Sequence, residues 1–407
     1  MKTSYKSIRL FACLLVSLLV ALFASQANAG LLAEALEQAW RLHPEAGALD
    51  ARVAEANARA EIAGGLTAGP AALSLGHLND SLGSGRGKEE WEIELAAPLW
   101  LPGQKTAQVD EAASLLDETS ARRAALRLEL AGELRTAWWE LAAAKQAEAL
   151  AASRLSTARN LEIEVQRRYR VGDLARVDSN QARGETLAAQ AESLQAEAAA
   201  RQAERTWRGL TGMAAPLQVE PEALAQSSPT AELHPRLVAL AASARLANSR
   251  LKLAQTLRRD APEIALRVLR ERGDSSAAFG NAVGVKLTLL FSSGPRLRRD
   301  AAAALADVQL ATATQLQATR QLALDVEQAR LELAAAEQQW QYAQERRALT
   351  ADTLQLAEKS FSLGESDLPG LLRARAAAYE AEALFHRQES ARGLALSQLK
   401  QALGEMP

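Results

Sequence analysis

The sequence contains very little cysteine and few aromatic residues. Its single cysteine, Cys13, lies in the first apolar stretch of the chain. If that stretch is a cleaved leader, the mature chain has no thiol, which excludes disulfide scaffolds and thiol catalysis. Aromatic residues make up only 4% of the chain, whereas Ala, Leu, Glu, Gln and Arg are abundant. This composition favours long helices over one large compact core.

Long apolar runs are absent after the N-terminus. Basic residues precede one apolar run, from Leu10 to Phe23, and Ala27-Asn28-Ala29 then fits the small-x-small pattern of a cleavage site. We predict that residues 1–29 are a signal peptide. The alternative is a retained anchor, but the run is shorter than the roughly 20 residues that a spanning helix needs. No later run approaches that length, so we expect no membrane-spanning helix.

The charge balance and the motifs exclude several classes of function. The chain has 47 basic and 49 acidic residues, and the predicted leader removes three basic ones, which leaves a net charge of −5. A nucleic-acid partner is therefore not expected. No GxSxG, HExxH, Walker or dinucleotide-binding motif occurs, so we expect neither an enzyme nor a cofactor. The four histidines are too scattered for a zinc site. They are His43, His77, His234 and His386.

The second half of the chain repeats the first at a displacement of 191 or 192 residues. Five short segments recur in the same order, which predicts tandem copies of one unit at 30–220 and 221–407. The proline-rich stretch from Pro216 to Pro229 is the predicted connector. The paired segments are Leu42–Pro44 with Leu233–Pro235, Ala56–Arg59 with Ala247–Arg250, Trp100–Gly103 with Phe291–Gly294, Glu140–Ala144 with Glu332–Ala336, and Tyr169–Asp173 with Phe361–Glu365.

Each copy begins with a helix and continues with a hairpin of two strands. Apolar residues at helical spacing predict helices from Leu31 to Ala63 and from Pro235 to Leu257. Apolar residues alternate with period two from Val283 to Phe291, which predicts a strand. Loops rich in Gly, Ser and Asp follow the first strand of each hairpin. The corresponding alternation in the first copy is at Trp91, Ile93 and Leu95, and the predicted partner strands carry Leu73 and Leu75 or Ile264, Leu266 and Val268.

Each copy then contains a very long helix and a returning helix. From Ala301 to Leu363 there are 63 residues without glycine or proline, which corresponds to about 95 Å of helix. The stretch from Lys105 to Val171 is comparable. Gly172 and Gly364 follow these helices, as expected of C-terminal glycines. The returning helices are predicted at 177–210 and 371–403.

The hairpins constrain the architecture more than the helices do. A coiled-coil stalk or a large helical domain would account for the helices but not for the two hairpins. Alternating strands of about ten residues are long enough to cross an outer membrane, but open sheet edges are not tolerated in hydrocarbon. Four strands are too few for a barrel, for which eight is the practical minimum. We therefore predict a mainly α fold with a small β part, in which several chains pool four strands each into a transmembrane β-barrel and join their long antiparallel helices into an α-helical barrel.

These features resemble the outer-membrane factor family, the TolC-like efflux ducts. The resemblance rests on the duplicated aromatic-x-x-Gly-acid segments, on the hairpins before Gly103 and Gly294, and on the signal peptide. The segments Leu31–Pro44 and Tyr169–Arg183 also resemble the CzcC-like heavy-metal branch. The resemblance implies a homotrimer with a 12-stranded barrel in the outer-membrane lipid and a periplasmic α-helical barrel.

The resemblance also implies a function and partners. The chain is expected to be the passive exit duct of a tripartite efflux system, fed by a periplasmic adaptor and an inner-membrane pump of the resistance-nodulation-division (RND) type. Heavy-metal cations or small toxic compounds are the expected substrates. Two alternatives stay open: a type I secretion duct for polypeptides, and a periplasmic coiled-coil adaptor or structural protein.

The glycine turns are the candidate functional residues. In the family, these turns form the periplasmic mouth where adaptor hairpins dock; alternatively, the glycines only end helices. The resemblance implies a pore constriction from Asp178, Asp367 and Arg373, although Gly370 and Arg373 stand where the family often has carboxylates. The alternative for Asp178 is a solvated carboxylate on the helix surface. Arg167, Arg168 and Arg170 are either a solvated cluster or a salt-bridge site. The expected docking residues are Val171, Gly172, Asp173, Leu174, Leu363, Gly364, Glu365 and Ser366.

Overall fold

The computed structural model describes residues 30–83, 85–216, 222, 233–257, 260–291 and 294–407. The predicted signal peptide, residues 1–29, and most of the predicted connector lie outside the described residues. The elements are α1 (30–42), α2 (Pro44–Gly64), β1 (Ala72–Asn79), β2 (Glu89–Pro98), α3 (Gln104–Arg170), α4 (Arg176–Thr211), α5 (Pro235–Thr256), β3 (Glu263–Arg272), β4 (Gly280–Thr288), α6 (Gly294–Ser362) and α7 (Leu368–Leu403).

The order of elements in the second half repeats the order in the first. In each half a helix is followed by two strands, a long helix and a returning helix. The predicted mainly α architecture with four strands is confirmed. The boundary predicted between residues 220 and 221 stays a prediction.

Some boundaries differ from the prediction for reasons of backbone chemistry. The helix predicted from Leu31 to Ala63 is interrupted at His43, and Pro44 begins α2. Proline is favoured at a first helical position, because its missing N–H is not needed there. For the same reason α6 begins at Gly294, just before Pro295 and seven residues before the predicted start.

The last strand has the predicted length of nine residues but lies three residues earlier in the chain. It ends at Thr288 instead of Phe291, and Thr288 is paired with Glu263, the first residue of β3. Pro262, which precedes β3, has no N–H to donate to a further partner. Its carbonyl instead accepts a hydrogen bond of 2.7 Å from the Leu99 amide. The strand β4 therefore has no partner beyond Thr288.

The four strands form one antiparallel sheet in the order β1-β2-β3-β4. Leu75 is paired with Ile93, Ile93 with Val268, and Val268 with Val283. Because paired residues project from the same side of a sheet, these four side chains share one face. The outer strands β1 and β4 each leave one edge without a partner in the described sheet.

The chain divides into two compact units. One, the helix unit, comprises Met1–Ala46, Leu126–His234 and Gln321–Pro407. The other, the strand unit, comprises Gly47–Ala125 and Pro235–Arg320. Each unit takes segments from both halves of the sequence, so neither half is a compact unit by itself.

In the strand unit, α3 packs against α5 through hydroxyl and charged side chains. The Oγ atoms of Ser114 and Ser249 lie 2.8 Å apart, and Arg250 Nε donates to Glu111 over 3.2 Å. At the start of the sheet, Trp100 Nε1 donates to the carbonyl of Gly65 over 3.1 Å. These contacts connect segments far apart in sequence within this unit.

In the helix unit, α3 and α7 form the central contact. Trp139 of α3 donates to the Ser397 hydroxyl of α7 over 2.9 Å. A Cβ added at Gly393 would lie 2.1 Å from the Trp139 ring, so only glycine leaves room for this indole. Trp207 of α4 packs on Trp138 with ring centroids 5.3 Å apart. Trp138 and Trp207 are among the largest fully buried side chains of the unit.

Candidate functional site at the helix turns

The turn between α3 and α4 is built around Gly172. Its φ of +88° lies in the left-handed region, which glycine adopts without Cβ strain. The Gly172 amide donates to the carbonyl of Tyr169 over 3.1 Å, and the Asp173 amide donates to that of Arg168 over 2.9 Å. This pair of bonds satisfies carbonyls left free at the end of the helix.

The turn between α6 and α7 has the same construction. Gly364 has a φ of +77°. Its amide donates to the Phe361 carbonyl over 3.2 Å, and the Glu365 amide donates to the Ser360 carbonyl over 2.9 Å. The aromatic-x-x-Gly-acid pattern therefore encodes one turn geometry twice: the glycine reverses the chain and the acidic residue's amide closes the last helical turn.

Carboxylates stabilise the start of both returning helices. Asp178 accepts a hydrogen bond of 3.0 Å from the Ala175 amide, and Asp367 accepts one of 2.9 Å from the Gly370 amide. A side-chain oxygen in such a position satisfies a helix-start N–H and interacts favourably with the helix dipole. Both aspartates expected at a pore constriction thus have a local capping role as well.

An apolar cluster lies directly behind the two turns and contains residues from the four helices that meet there, α3, α4, α6 and α7. It brings the two turns to the same end of this unit. Arg168 covers part of it, with its guanidinium carbon 5.2 Å from the centre of the Phe361 ring. We call this set the turn cluster; its buried members are Leu161, Val165, Ala182, Phe361, Leu368 and Leu371.

Ion pairs account for part of the arginine cluster before the first turn. Arg167 and Arg168 both donate to Glu164, the latter over 2.9 Å. The hydrogen bond from Arg167, followed by that from Arg168, lowers the pKa of Glu164 below its ordinary value. Because such pairs are local and exposed, they contribute little to stability.

Most of the expected docking residues are on the surface. Val171 is 70% exposed and Leu363 is 64% exposed, which is unusual for apolar side chains of this size. Leu174 packs on the turn cluster and is partly buried. Ser366 is also half-buried, while the remaining expected residues, Gly172, Asp173, Gly364 and Glu365, are exposed.

The expected constriction residues are close to the same turns. Asp178 is half-buried, whereas Asp367 and Arg373 are exposed. Arg373 Nε donates to the carbonyl of Pro369 over 3.4 Å, within its own helix. The described chain therefore places these side chains near one end of the helix unit, and their joint role stays a prediction.

The sheet of the strand unit is sorted into an apolar and a charged face. On the charged face, Arg267 Nε lies 2.9 Å from a Glu92 carboxylate oxygen, and Lys286 Nζ lies 3.4 Å from Glu94. The apolar residues opposite are between 41% and 74% exposed in this chain. This arrangement is typical of strands with lipid on one side and water on the other. The apolar face consists of Leu73, Leu75, Trp91, Ile93, Leu95, Ile264, Leu266, Val268, Val283, Val285 and Leu287.

A buried charge network was not predicted from the sequence. The Arg135 side chain, 2% exposed, lies 3.1 Å from Glu222, which is 7% exposed. Lys400 lies 3.1 Å from the other oxygen of Glu222. Arg135 also donates to Gln401 over 2.8 Å. Glu222 lies in the proline-rich connector, where no periodicity indicates which residue is buried.

A cleft between the two helix hairpins of the helix unit was also not predicted. Its volume is about 340 Å³. On its wall, Arg154 stacks on the Tyr379 ring at 4.5 Å and donates to Glu185 over 2.8 Å. The Tyr379 hydroxyl donates to Glu192 over 2.6 Å. Burial, followed by this hydrogen bond, raises the pKa of Tyr379 to about 12.

Within the described part of the chain, no helix is both long and apolar enough to cross a lipid bilayer. The described residues also contain no group of three or more His, Cys, Asp or Glu side chains placed to hold a metal ion.

Residues 228–405 match the family model described as outer membrane efflux protein. The match covers most of the second half and confirms the family resemblance there; the CzcC-like branch stays a prediction. A search of curated protein sequences gives no match.

Solved structures share the fold over most of this chain. VceC, an outer membrane protein of Vibrio cholerae, has a TM-score of 0.74 at 19% identity, covering 93% of this chain and 97% of VceC. CusC has a TM-score of 0.75 at 15% identity, covering 93% of this chain and 92% of CusC. The open-state MtrE outer membrane channel of Neisseria gonorrhoeae has a TM-score of 0.75 at 18% identity, covering 92% of this chain and 89% of MtrE.

Proposed function

We propose that this chain, which matches the outer membrane efflux protein model over residues 228–405 and shares the fold of outer-membrane channels over most of its length, is the exit duct of a tripartite efflux system. It is located in the outer membrane, and its helices extend into the periplasm. Three copies pool their strands into a 12-stranded barrel. The duct is passive and receives its substrate from an inner-membrane pump through a periplasmic adaptor.

The sorted sheet carries this proposal. Its apolar face exposes Trp91, Ile93 and Leu95 on β2 alone, each about half exposed. A water-soluble protein would gain little from an apolar surface of this extent. The opposite face neutralises its charges in pairs such as Glu92 with Arg267, as expected of a water-filled interior. The open edges at β1 and β4 close when copies pair edge to edge.

Purification from membranes tests the proposed duct. We expect the full chain to fractionate with the outer membrane, to migrate as a trimer in mild detergent, and to insert discrete conductances into planar bilayers. Replacing Ile93 and Val268 with Asp places two charges on the lipid-facing side and is expected to abolish insertion. The matched double replacement of Glu94 and Arg267 with Gln leaves insertion intact. A monomer recovered in the soluble periplasm would contradict the proposal.

The two turns are the proposed docking site for the adaptor. Support comes from their repeated geometry and from the exposure of Val171 and Leu363 at the same end of the helix unit. Docking at such tips buries apolar side chains around backbone that glycine keeps accessible. A polar change, Val171→Asn with Leu363→Asn, is expected to reduce adaptor binding without changing trimer formation. The matched control is Leu316→Asn, an exposed leucine elsewhere on α6.

Asp178, Asp367 and Arg373 are the proposed pore constriction. Their support is their position next to the turns; their capping bonds keep the carboxylates in fixed orientations. Replacing all three with Asn, Asn and Gln retains side-chain hydrogen bonding while it removes charge. We expect altered cation selectivity of the bilayer conductance, and unchanged selectivity would remove these residues from the constriction.

Heavy-metal cations delivered by an RND pump are the proposed substrate and partner. The support is the sequence resemblance to the heavy-metal branch. Metal susceptibility of a strain lacking the duct, with and without the cloned chain, tests this assignment. Restored resistance to divalent cations supports it, whereas restored export of a polypeptide would favour the type I secretion alternative.

A further inference from the structure

An exposed apolar stripe runs along α6 in the helix unit. Tyr342, Leu349 and Leu356 follow one another at intervals of seven residues, and all are between 62% and 71% exposed. Their neighbours on the outward surface are polar, including Gln341, Glu345 and others. A seven-residue apolar repeat on a helix is the pattern of a seam that packs on another helix. Within the described chain, nothing covers this one.

The outward face of α4 carries a matching row of small residues. Gly184, Ala191 and Ala198 also follow at intervals of seven, and each is exposed. Leu187 and Leu194, 51% and 62% exposed, alternate with them. The opposite side of α4, with Ala182, Thr186 and Ala189, is buried inside the unit. The row of small residues therefore faces away from the chain's own core.

Gly184 supplies an independent observation. It lies in the interior of α4, where glycine costs about 1 kcal/mol relative to alanine. A Cβ built on it meets nothing within 4 Å, and its φ is not in the left-handed region. Neither backbone geometry nor packing within this chain therefore requires glycine. Close approach by a side chain from another molecule would require it.

Contacts within the helix unit show which residues of α4 and α6 lie at the same height along the helix axes. We call such residues level with each other. Tyr379 of α7 donates to Glu192 of α4. Helices α6 and α7 run antiparallel from Gly364, and Leu349 precedes that glycine by 15 residues just as Tyr379 follows it by 15. The ion pairs Arg346–Glu380 and Arg347–Glu382 support this register. Leu349 thus lies level with Ala191 and Glu192.

The seven-residue spacing extends this alignment along both helices. If Ala191 is level with Leu349, then Gly184 is level with Leu356 and Ala198 with Tyr342. In each pair a large side chain on α6 is at the height of a small residue on α4. Packing of large side chains into spaces left by small ones is the usual form of close helix contact.

Because the two rows face outward, they meet only between copies of the chain. In a closed ring, three copies are related by rotation alone, and no copy is displaced along the rotation axis. Residues at the same height within one copy are therefore also at the same height in neighbouring copies. Such a ring has head-to-tail contacts, in which one patch meets a different patch on the next copy. We propose that the α6 stripe of one copy packs on the small-residue row of α4 in the next. This inference rests on the proposed trimer and identifies its contact surface.

Disulfide trapping between copies tests the pairing. If Cys13 is removed with the leader, the mature chain has no native thiol. Ala191→Cys in a tagged chain and Leu349→Cys in an untagged chain are co-expressed and oxidised in outer membranes. We expect a tagged–untagged covalent dimer, since a disulfide forms only when the Cα atoms lie within about 7 Å. Gly184→Cys with Leu356→Cys is the second pair. Ala191→Cys with Leu331→Cys is the control, displaced by 18 residues or about 27 Å.

A bulk substitution tests the same surface without cysteine. Ala198→Leu fills the space proposed for Tyr342 and is expected to shift the detergent-solubilised protein from trimer to monomer. We expect the ratio of monomer to trimer, counted by mass photometry, to rise at least tenfold. Ala199→Leu, also exposed but about a quarter turn away, is the matched control and keeps the trimer.

The outcomes separate the contact surface from the function. Cross-links at both designed pairs, with none at the control, support the α4–α6 contact. Trimers that conduct in bilayers but form no such cross-link would overturn the contact and leave the duct standing. Cross-links to a co-expressed adaptor in place of a second copy would also overturn it. Failure to form any trimer in wild-type protein would contradict the proposed function itself.

Discussion

The two long helices, α3 and α6, have corresponding sequences but opposite environments. They contain 67 and 69 residues and end in the same glycine turn. In α6, the buried residues are only Leu322, Ala329, Ala343 and Phe361. In α3, by contrast, Trp138, Leu134 and Leu141 are at most 1% exposed. A repeated pattern thus determines helix length and turn, while the neighbours of each helix decide which of its faces is covered.

Individual positions show the same divergence. Trp139 on α3 is 6% exposed, and its counterpart 192 residues later, Leu331 on α6, is 67% exposed. Arg135 is buried, and its counterpart Glu327 is exposed. The long helix of the first copy thus lies in the interior of the helix unit, and the long helix of the second copy lies on its outside. Substitutions at corresponding positions should therefore have very different effects.

The largest difference is expected at Arg135. Arg135→Met leaves Glu222 buried with only Lys400 as a charged partner among the described residues, and losing one partner of a buried ion pair costs about 3–5 kcal/mol. Glu327→Met, at the exposed counterpart, should change stability by less than about 0.5 kcal/mol. Denaturant midpoints of the solubilised proteins, followed by circular dichroism, measure both. Equal denaturant midpoints for the Arg135→Met and Glu327→Met proteins would contradict the proposed difference between α3 and α6.

The same substitution, Leu→Ala, made once on each long helix sharpens the comparison. Leu134→Ala on α3 removes a side chain that is 1% exposed and should cost about 3 kcal/mol through lost burial and a cavity. Leu324→Ala on α6 removes one that is 59% exposed and should cost less than about 0.5 kcal/mol. The same denaturation assay applies. A large loss of stability in Leu324→Ala would mean that the covered part of α6 extends beyond the stripe of Tyr342, Leu349 and Leu356.

Gly393→Ala tests the contact that makes α3 central. The added Cβ would lie 2.1 Å from the Trp139 ring, so the indole must move, at a cost of about 2 kcal/mol. Gly47→Ala in α2, where a Cβ meets nothing within 4 Å, is the matched control and should stabilise by about 0.5 kcal/mol. Thermal unfolding of both variants measures the difference. A stabilised Gly393→Ala protein would contradict the packing described for α3 and α7.

The smallest effect is expected at Tyr379, on the cleft between the hairpins. Tyr379→Phe removes one hydrogen bond to Glu192 and should cost about 1 kcal/mol near neutral pH. The folded-state pKa of about 12 exceeds the ordinary value of 10, so this stabilisation is complete below pH 10 and is lost as the pH rises towards 12. Midpoints of wild type and variant should therefore converge over that range. A constant difference up to pH 12 would show that the hydroxyl proton is not involved.

The repeat, the hairpins and the glycine turns were predictable because each depends on local chemistry. Gly172 and Gly364 end helices through their own backbone, and alternation around Ile93 appears directly as a strand face. Burial of Arg135, by contrast, depends on Glu222, which is 87 residues away and lies in a connector without periodicity. The choice of α6 as the exposed long helix depends on contacts across the whole helix unit. Such contacts leave no local pattern.

The fit of Trp139 against Gly393 also bears on the history of the duplication. The indole comes from the first copy and the glycine from the second, and the position corresponding to Gly393 in the first copy is Arg201. A chain assembled from two identical first copies would press a guanidinium stem into the space the ring now occupies. The halves have become complementary parts, and the first copy could no longer regenerate this contact by simple doubling.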